Sequence, residues 1–311
     1  MSNTKITQKI KQKAIELGFD ACGISSIERL NKEEYFLKDW LNNSYHGDMA
    51  YMARNIEKRV NPAELVEGTN SVISVLLNYF PEKNLNSESH YKISKYALGK
   101  DYHYIIKDKL RLLIEFINKL IPETPMRAFT DSAPILDKSW AIKSGLGWMG
   151  KNTLLINKQL GSFFFIGEII IGLDLEADSP LNTEYCGTCT KCIDACPTNA
   201  LMEPYKMDAN KCISYLNIES KSEIPKELQP KLNNWIFGCD ICQDVCPWNS
   251  KLTPTNEPLF RINEELLLMK KEDWDYLDKP KFKKLFKSSP VERGGYKRMK
   301  EMIKLQKDLN L

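Results

Sequence analysis

The chain has 311 residues, with 44 Lys and Arg against 41 Asp and Glu and a net charge of +3. That length allows about two domains, and the composition is that of an ordinary soluble globular protein. No apolar run is long enough to cross a bilayer, and the polar N-terminus lacks the apolar core of a signal peptide, so a cytoplasmic monomer with no membrane partner is expected.

In chain order, Ile6, Ile10, Ala14 and Leu17 form one stripe of a first helix. "FDACGISS" (19–26) follows as a strand. Asn31 with Glu34 makes a capping-box-like start to a helix carrying Phe36, Leu37, Trp40 and Leu41. "SVISVLLNYF" (71–80) predicts a buried strand closed by Pro81. A long helix is predicted at about 101–120, with Asp101 as its N-cap and Ile105, Leu112, Leu113, Phe116, Ile117 and Leu120 on its apolar face. "MRAFTD" (126–131) reads as a short strand, and a helix begins at Pro134, with Ile135, Leu136, Trp140 and Ala141 on one face. "TLLI" and "SFFFIGEIII" predict two strands around an "NKQLG" turn. "DLEADSPLNTEY" (174–185) is a linker candidate, and the last helix-like stretch runs from about 293 to 309. From Lys279 to Leu311, nine Lys and two Arg face Glu292, Glu301 and Asp308, so the tail is basic and the rest net acidic. Such a tail is either a solvated surface or frayed helix, or a contact for a polyanion such as RNA.

The expected class is α+β (mixed α/β) in three parts: an N-terminal cofactor- and substrate-binding domain at 1–180, a ferredoxin-like domain at 181–255 and a basic helical segment at 256–311. Eight of the nine cysteines fall between 186 and 246, a clustering that in a cytoplasmic chain points to metal. "CGTCTKCIDACP" has the C-x2-C-x2-C-x3-C-P spacing of two-cluster ferredoxins, in which the fourth thiolate serves the other cluster. "CDICQDVCP" repeats its tail, and Cys212 supplies the missing member. Reciprocity gives one [4Fe–4S] cluster on Cys186, Cys189, Cys192 and Cys246, and a second on Cys196, Cys212, Cys239 and Cys242. The competing reading is a pair of zinc sites, which rarely show a three-plus-one run with Pro after the last Cys in both halves. Cys22 stands apart and reads as a small buried apolar residue. Since a ferredoxin needs only about sixty residues, the long segment ahead of it must hold a substrate or another cofactor.

"GLGWMGKN" (145–152) fits both G-x-G-x-x-G and G-x-x-x-x-G-K. Both patterns need a strand before and a helix after, and the order here is reversed. Asn152 also stands where a P-loop has Ser or Thr, so a nucleotide site is disfavoured.

"KRVNPAEL" (58–65), "YALGKDYHY" (96–104), "TDSAPILDKSWAIKSGLGWMGKNTLLI" (130–156) and the two cysteine runs with "CISYL" between them resemble the epoxyqueuosine reductases. The resemblance spans about residues 5 to 300. It implies base-off cobalamin beside the two [4Fe–4S] clusters, kinship with reductive dehalogenases, and reduction of an epoxide on the wobble base of tRNA, with electrons from an unidentified donor. It places "GLGWMGKN" in the cobalamin wall, with Gly150, Lys151 and Asn152 as contacts, and implies further cofactor contacts from Arg59, Ser214 and Asp240. The "DYH" at 101–103 lacks the Gly of the cobalt-ligating D-x-H-x-x-G motif, having Ile106 there, which agrees with cobalamin held without a His ligand. Longer members continue into helical repeats, so the RNA contacts of those repeats would be absent here or replaced by the basic tail, through Lys283, Lys284, Lys297 and Arg298. The rival readings are a cobalamin-linked dehalogenase acting on a small molecule, and a plain iron–sulfur carrier.

The resemblance also implies Asp131 as proton donor. Opening an epoxide leaves an alkoxide that must be protonated, so this acid must hold its proton near neutrality, with a pKa well above about 3.9. Desolvation would raise it. The alternative is an N-cap for the helix begun by Pro134. For Arg59, a surface ion pair is the alternative to a cobalamin contact.

Overall fold

The computed structural model describes residues 2–83, 85 and 90–309. Its elements begin with α1 (Asn3–Glu16), β1 (Ala21–Ser26), α2 (Asn31–Asn42), α3 (Ile56–Val60), β2 (Ser71–Asn78), β3 (Lys92–Ile93) and α4 (Tyr102–Leu120). Then come β4 (Met126–Phe129), α5 (Asp137–Lys143), β5 (Trp148–Met149), β6 (Leu155–Ile156) and β7 (Phe164–Ile171). The cysteine region holds α6 (Lys191–Asp194), β8 (Leu201–Glu203), β9 (Lys206–Met207), α7 (Ile213–Ile218), β10 (Trp235–Phe237) and α8 (Ile241–Asp244). The chain continues through α9 (Glu264–Leu268), α10 (Lys279–Leu285), α11 (Pro290–Gly294) and α12 (Tyr296–Leu309). Among the described residues, no helix is long and apolar enough to cross a membrane.

The central sheet has the order β1-β2-β7-β4, with every neighbouring pair antiparallel. Its two middle strands are apolar almost throughout because both faces are covered. The period of two sorts their side chains. Ile73, Val75 and Leu77 of β2 and Ile169 and Ile171 of β7 meet Ile6 and Ile10 of α1 and Ile105, Ile106 and Leu110 of α4. Val72 and Ile170 point the other way, against Trp140 of α5 and Phe129. Each fully buried branched side chain contributes about 1.5–3 kcal/mol, so the covered faces hold this sheet together. The result is α+β.

Several details depart from the sequence expectation. Asn31 is the first residue of α2 and caps nothing, and Phe36 points outward. On α4, Leu112 is 40% exposed, while Ile106 and Leu110 complete the buried face. α5 begins at Asp137, three residues after Pro134. The "NKQLG" turn closes through Asn157 and Gly161, but β6 pairs with β5 rather than β7. β7 is drawn instead into the sheet centre between β2 and β4, where both its faces are buried.

The largest core crosses the expected boundaries at 180 and 255. It joins Ile93, Leu216, Trp235 and Phe237 to Trp274, Phe282, Met299, Met302 and Ile303. β3 pairs in parallel with β10, and α12 lies on β10. The basic tail is therefore a docked helix with a buried face, not a frayed one.

Candidate active site

The cysteines gather around two cavities. Cys186, Cys189, Cys192 and Cys246 line one of ≈ 270 Å³ with Lys151, Tyr185 and Trp248. Cys196, Cys212, Cys239 and Cys242 share the wall of another of ≈ 380 Å³. The short helices α6 and α8 pack together, so the last cysteine of each run swings into the other run's neighbourhood. Burial, then the proximity of Cys186 and Cys189, raises the thiol pKa of Cys246; burial, then Cys239 and Cys212, raises that of Cys242. Thiols so crowded ionise only against a cation, as ligation to iron supplies. Among the described residues, no three Cys, His, Asp or Glu side chains converge on a single-ion point. Cys22 packs against the sheet core, and burial pushes its thiol up to about 12.

The glycine loop serves this region. Gly145 ends α5 at φ +72, and the Gly145 and Leu146 N–H groups donate to the carbonyls of Ile142 and Ala141. A side chain at Gly147 would stand 2.2 Å from the Ile156 carbonyl, which the β5–β6 pairing brings against it. The Gly150 N–H is taken by Leu154, so that amide is not free for a corrin. Lys151 donates to the carbonyls of Gly187 at 2.6 Å and Cys189 at 3.0 Å. It thus braces the first cysteine loop rather than reaching toward Asp131. Buried Asn152 lines both cysteine cavities, its amide 3.5 Å from the Cys242 carbonyl.

Above the second cavity opens a cleft of ≈ 630 Å³, lined among others by Arg59, His103, Asp131, Asp137, Lys138 and Arg293. Lys138 belongs to both, so the two spaces adjoin. The lower wall is apolar, from Leu155, Phe164 and Ile166, with Asn152, Ser214 and Asp240 as polar points. An apolar floor with a few hydrogen-bonding groups suits a flat macrocycle edged with amides. Among the described residues lining the lower cavity there is no histidine. Asp240 is buried and accepts from the Lys95 N–H at 2.8 Å; burial raises its pKa against the pull of the Lys95 charge. Arg59 is buried and donates to the carbonyls of Tyr51 and Arg54, so it is not a surface ion pair.

Asp131 lies just beyond β4 in a left-handed conformation, φ 58, uncommon for a residue with a side chain. It caps no helix, since α5 starts six residues later with Leu136 at its cap. The Tyr102 hydroxyl donates to its carboxylate, and His103 Nε2 lies 3.5 Å away. His103 Nδ1 is 2.8 Å from Asp101, which also caps α4 and pairs with Arg293 at 3.0 Å. Burial alone would lower the His103 pKa, but hydrogen bonds to Asp101 and Asp131 outweigh it and raise it. The His103 contact lowers the pKa of Asp131 against the desolvation of the cleft, with help from Tyr102. The expected elevation of Asp131 is therefore overturned in this state: its partners favour the carboxylate, and its side chain is 60% exposed. Sequence reasoning missed Tyr102, His103 and Arg293 as parts of this site. The "DYH" run was the available signal, but as a chain of hydrogen bonds rather than a cobalt ligand.

A second pair of carboxyls lies beneath the cleft. Glu168, 0% exposed at the centre of β7, stands opposite Ser74 and Phe129 on the neighbouring strands. Its carboxyl meets that of Asp137, the first residue of α5. Burial, then the Asp131 charge, raises the pKa of Asp137 to about 7, and burial, then Asp137, raises that of Glu168 well above the ordinary value. Both shifts favour the protonated carboxyl.

The family model described as epoxyqueuosine reductase QueG, DUF1730, matches residues 59–132, and that of the 4Fe-4S double cluster binding domain matches residues 185–249. An epoxyqueuosine reductase of Leadbetterella byssophila is 55% identical over 97% of this chain and 99% of its own. That of Escherichia coli K12 is 42% identical over 94% of this chain and 78% of its own. An epoxyqueuosine reductase solved with an epoxyqueuosine-modified tRNA-Tyr stem loop superposes at TM-score 0.87 and 26% identity, covering 98% of this chain and 81% of that one. A structure from Bacillus subtilis, with its aspartate catalytic loop swung out of the active site, gives 0.88 and 26% over the same shares.

Proposed function

The chain belongs to the epoxyqueuosine reductase family, and from that premise we propose how its residues reduce epoxyqueuosine in tRNA to queuosine. The reaction consumes two electrons and two protons and releases the epoxide oxygen as water. Cys186, Cys189, Cys192 and Cys246 hold one [4Fe–4S] cluster, and Cys196, Cys212, Cys239 and Cys242 the other; the two cavities with these linings support the reciprocal sets. Lys151 fixes the first cysteine loop through its carbonyls. When bound, cobalamin would supply the low-valent cobalt chemistry needed for a two-electron reduction of the epoxide. Asn152, Ser214 and Asp240 would hold it from below, and Arg59 and Lys138 from the cleft side.

The proton step rests on Asp131 and its partners. The Tyr102 hydroxyl donates to Asp131 and His103 Nε2 lies 3.5 Å from it, so a proton carried by His103 is within reach of Asp131. An alkoxide forming beside Asp131 is a far stronger base than either group. It takes one proton through Asp131, and His103, held in orientation by Asp101 and Arg293, restores it; the second proton, which carries the oxygen off as water, follows the same route once His103 has been recharged from solvent. The single observation carrying this reading is the Arg293–Asp101–His103–Asp131 chain at the mouth of a cleft that adjoins the second cluster's cavity. The direct test is turnover by the anaerobically reconstituted protein, given cobalamin, a low-potential reductant and epoxyqueuosine-containing tRNA. Queuosine should appear in digests of the tRNA, with about eight irons bound per chain. A plain electron carrier would hold the irons, retain no corrin and form no queuosine.

A further inference from the structure

Beside the Asp131 cleft lies another cavity, of ≈ 380 Å³. It shares Asn55, Ser132, Ala133 and Pro134 with the cleft, so the two are divided by the loop that carries Asp131. Three cations from three elements converge on it: Lys58 of α3, Lys107 of α4 and Arg127 of β4. No Asp or Glu lines it. Among the described residues, none of the three forms an ion pair or a side-chain hydrogen bond; Arg127 only rests on the Phe129 ring, 5.1 Å from its centroid.

The basic tail is different. Lys284 is paired with Glu265, and Arg298 is spent on the Leu216 carbonyl and Glu301. Lys307 pairs with Asp275, and Arg293 belongs to Asp101. Part of the tail's charge thus serves contacts within the protein. The three side chains at the cavity, Lys58, Lys107 and Arg127, are exposed, and with no carboxylate lining the hollow their combined charge draws an anion to it. A guanidinium beside two ammonium groups is the chemistry that recognises phosphate, with Arg127 able to fork across two oxygens.

We infer that this cavity is a phosphate subsite for the RNA backbone, gripping the phosphodiester next to the nucleotide whose base enters the cleft. The inference rests on the reading of the cleft as the site of a modified tRNA base. Holding the backbone on the far side of the Asp131 loop adds affinity for the RNA and leaves the reacting base to the cleft.

The test compares two variants of the reconstituted protein: Lys58→Gln/Lys107→Gln/Arg127→Gln, and Lys283→Gln/Lys297→Gln in the tail. Binding of an anticodon stem–loop is followed by fluorescence anisotropy from low to high salt, with iron and corrin content as the check on folding. Each lost contact removes roughly 0.7 from the slope of log affinity against log salt for single-stranded RNA, so the cavity triple should lose about 2. The kcat/KM on tRNA should fall by the same factor as affinity, with kcat at saturating RNA nearly kept. Inorganic phosphate should compete with the stem–loop only weakly; equal affinity for phosphate alone would make this a free-anion site and overturn the backbone assignment. An unchanged slope in the cavity triple, or a loss confined to the tail variant, would also overturn it. If the triple variant loads neither iron nor corrin, Arg127→Gln alone should still lose about 0.7. A wild-type protein that binds the stem–loop with the full slope but makes no queuosine would instead defeat the functional reading and leave the subsite standing.

Discussion

Replacing Glu168 by Gln should make the protein more stable at pH 8 than the wild type. The folded protein keeps a proton on the Asp137–Glu168 pair that the unfolded chain releases at ordinary carboxylate values. Asp137 is raised from 3.8 to about 7, with burial the largest cause. The folded state therefore binds more protons than the unfolded state above roughly pH 4, so this pair's contribution falls as pH rises and goes on falling until the last of its protons is released. Each pKa unit is worth about 1.36 kcal/mol. Three units set a ceiling of about 4 kcal/mol, and the partial exposure of Asp137 brings the expectation to on the order of 2 kcal/mol. In Glu168→Gln an amide donates permanently to the Asp137 carboxylate, and the second buried acid is gone. Urea unfolding of the loaded protein, followed by tryptophan fluorescence from pH 5 to 8, gives the midpoints. The difference between variant and wild type should grow with pH across this range. A difference that is constant with pH would refute the buried proton, whatever its sign.

Three further outcomes follow from the same geometry. Because His103 is raised and Asp131 lowered, the wild-type rate should decline only as pH rises through an apparent value above 6.5; His103→Gln should move that limb to more acidic pH and cut turnover at pH 7.5 by on the order of 10–10²-fold, and an unmoved limb would remove His103 from the proton path. Cys246→Ala should cost the cluster of Cys186, Cys189 and Cys192, leaving about four irons in the other cube; iron analysis with electron paramagnetic resonance decides which cube survives. Lys151→Ala should loosen iron from that first site while corrin retention stays at the wild-type level, because its ammonium holds the carbonyls of Gly187 and Cys189; the converse pattern would return Lys151 to the cobalamin wall.

What the sequence made legible was whatever short spacing determines. The helical stripe of Ile6, Ile10 and Ala14, the apolar run of β2 and the cap at Asp101 are all local, and each stands where the pattern implies. The two sets of four cysteines lie around separate cavities because three-residue spacings fix how each run wraps. Long-range choices were less visible. β6 and β7 look like hairpin partners in sequence, yet the sheet needs a strand buried on both faces between β2 and β4, and only β7 is apolar enough. "GLGWMGKN" reads as a ligand loop, but its glycines answer to close backbone packing and its lysine to a cysteine loop 36 residues onward. The charge state of Asp131 depends on His103 and Tyr102, 28 and 29 residues away in sequence and joined to it only by the fold.

The most direct measurement of the central claim is single-turnover conversion of epoxyqueuosine to queuosine by the loaded wild type and by Asp131→Asn, read from digested tRNA. The variant keeps the shape and one hydrogen-bonding oxygen but cannot carry the proton. It should retain both clusters, cobalamin and tRNA, and convert more slowly by on the order of 10²–10⁴-fold. Conversion at the wild-type rate by Asp131→Asn with full iron and corrin content would contradict the account, placing the proton source elsewhere in the cleft.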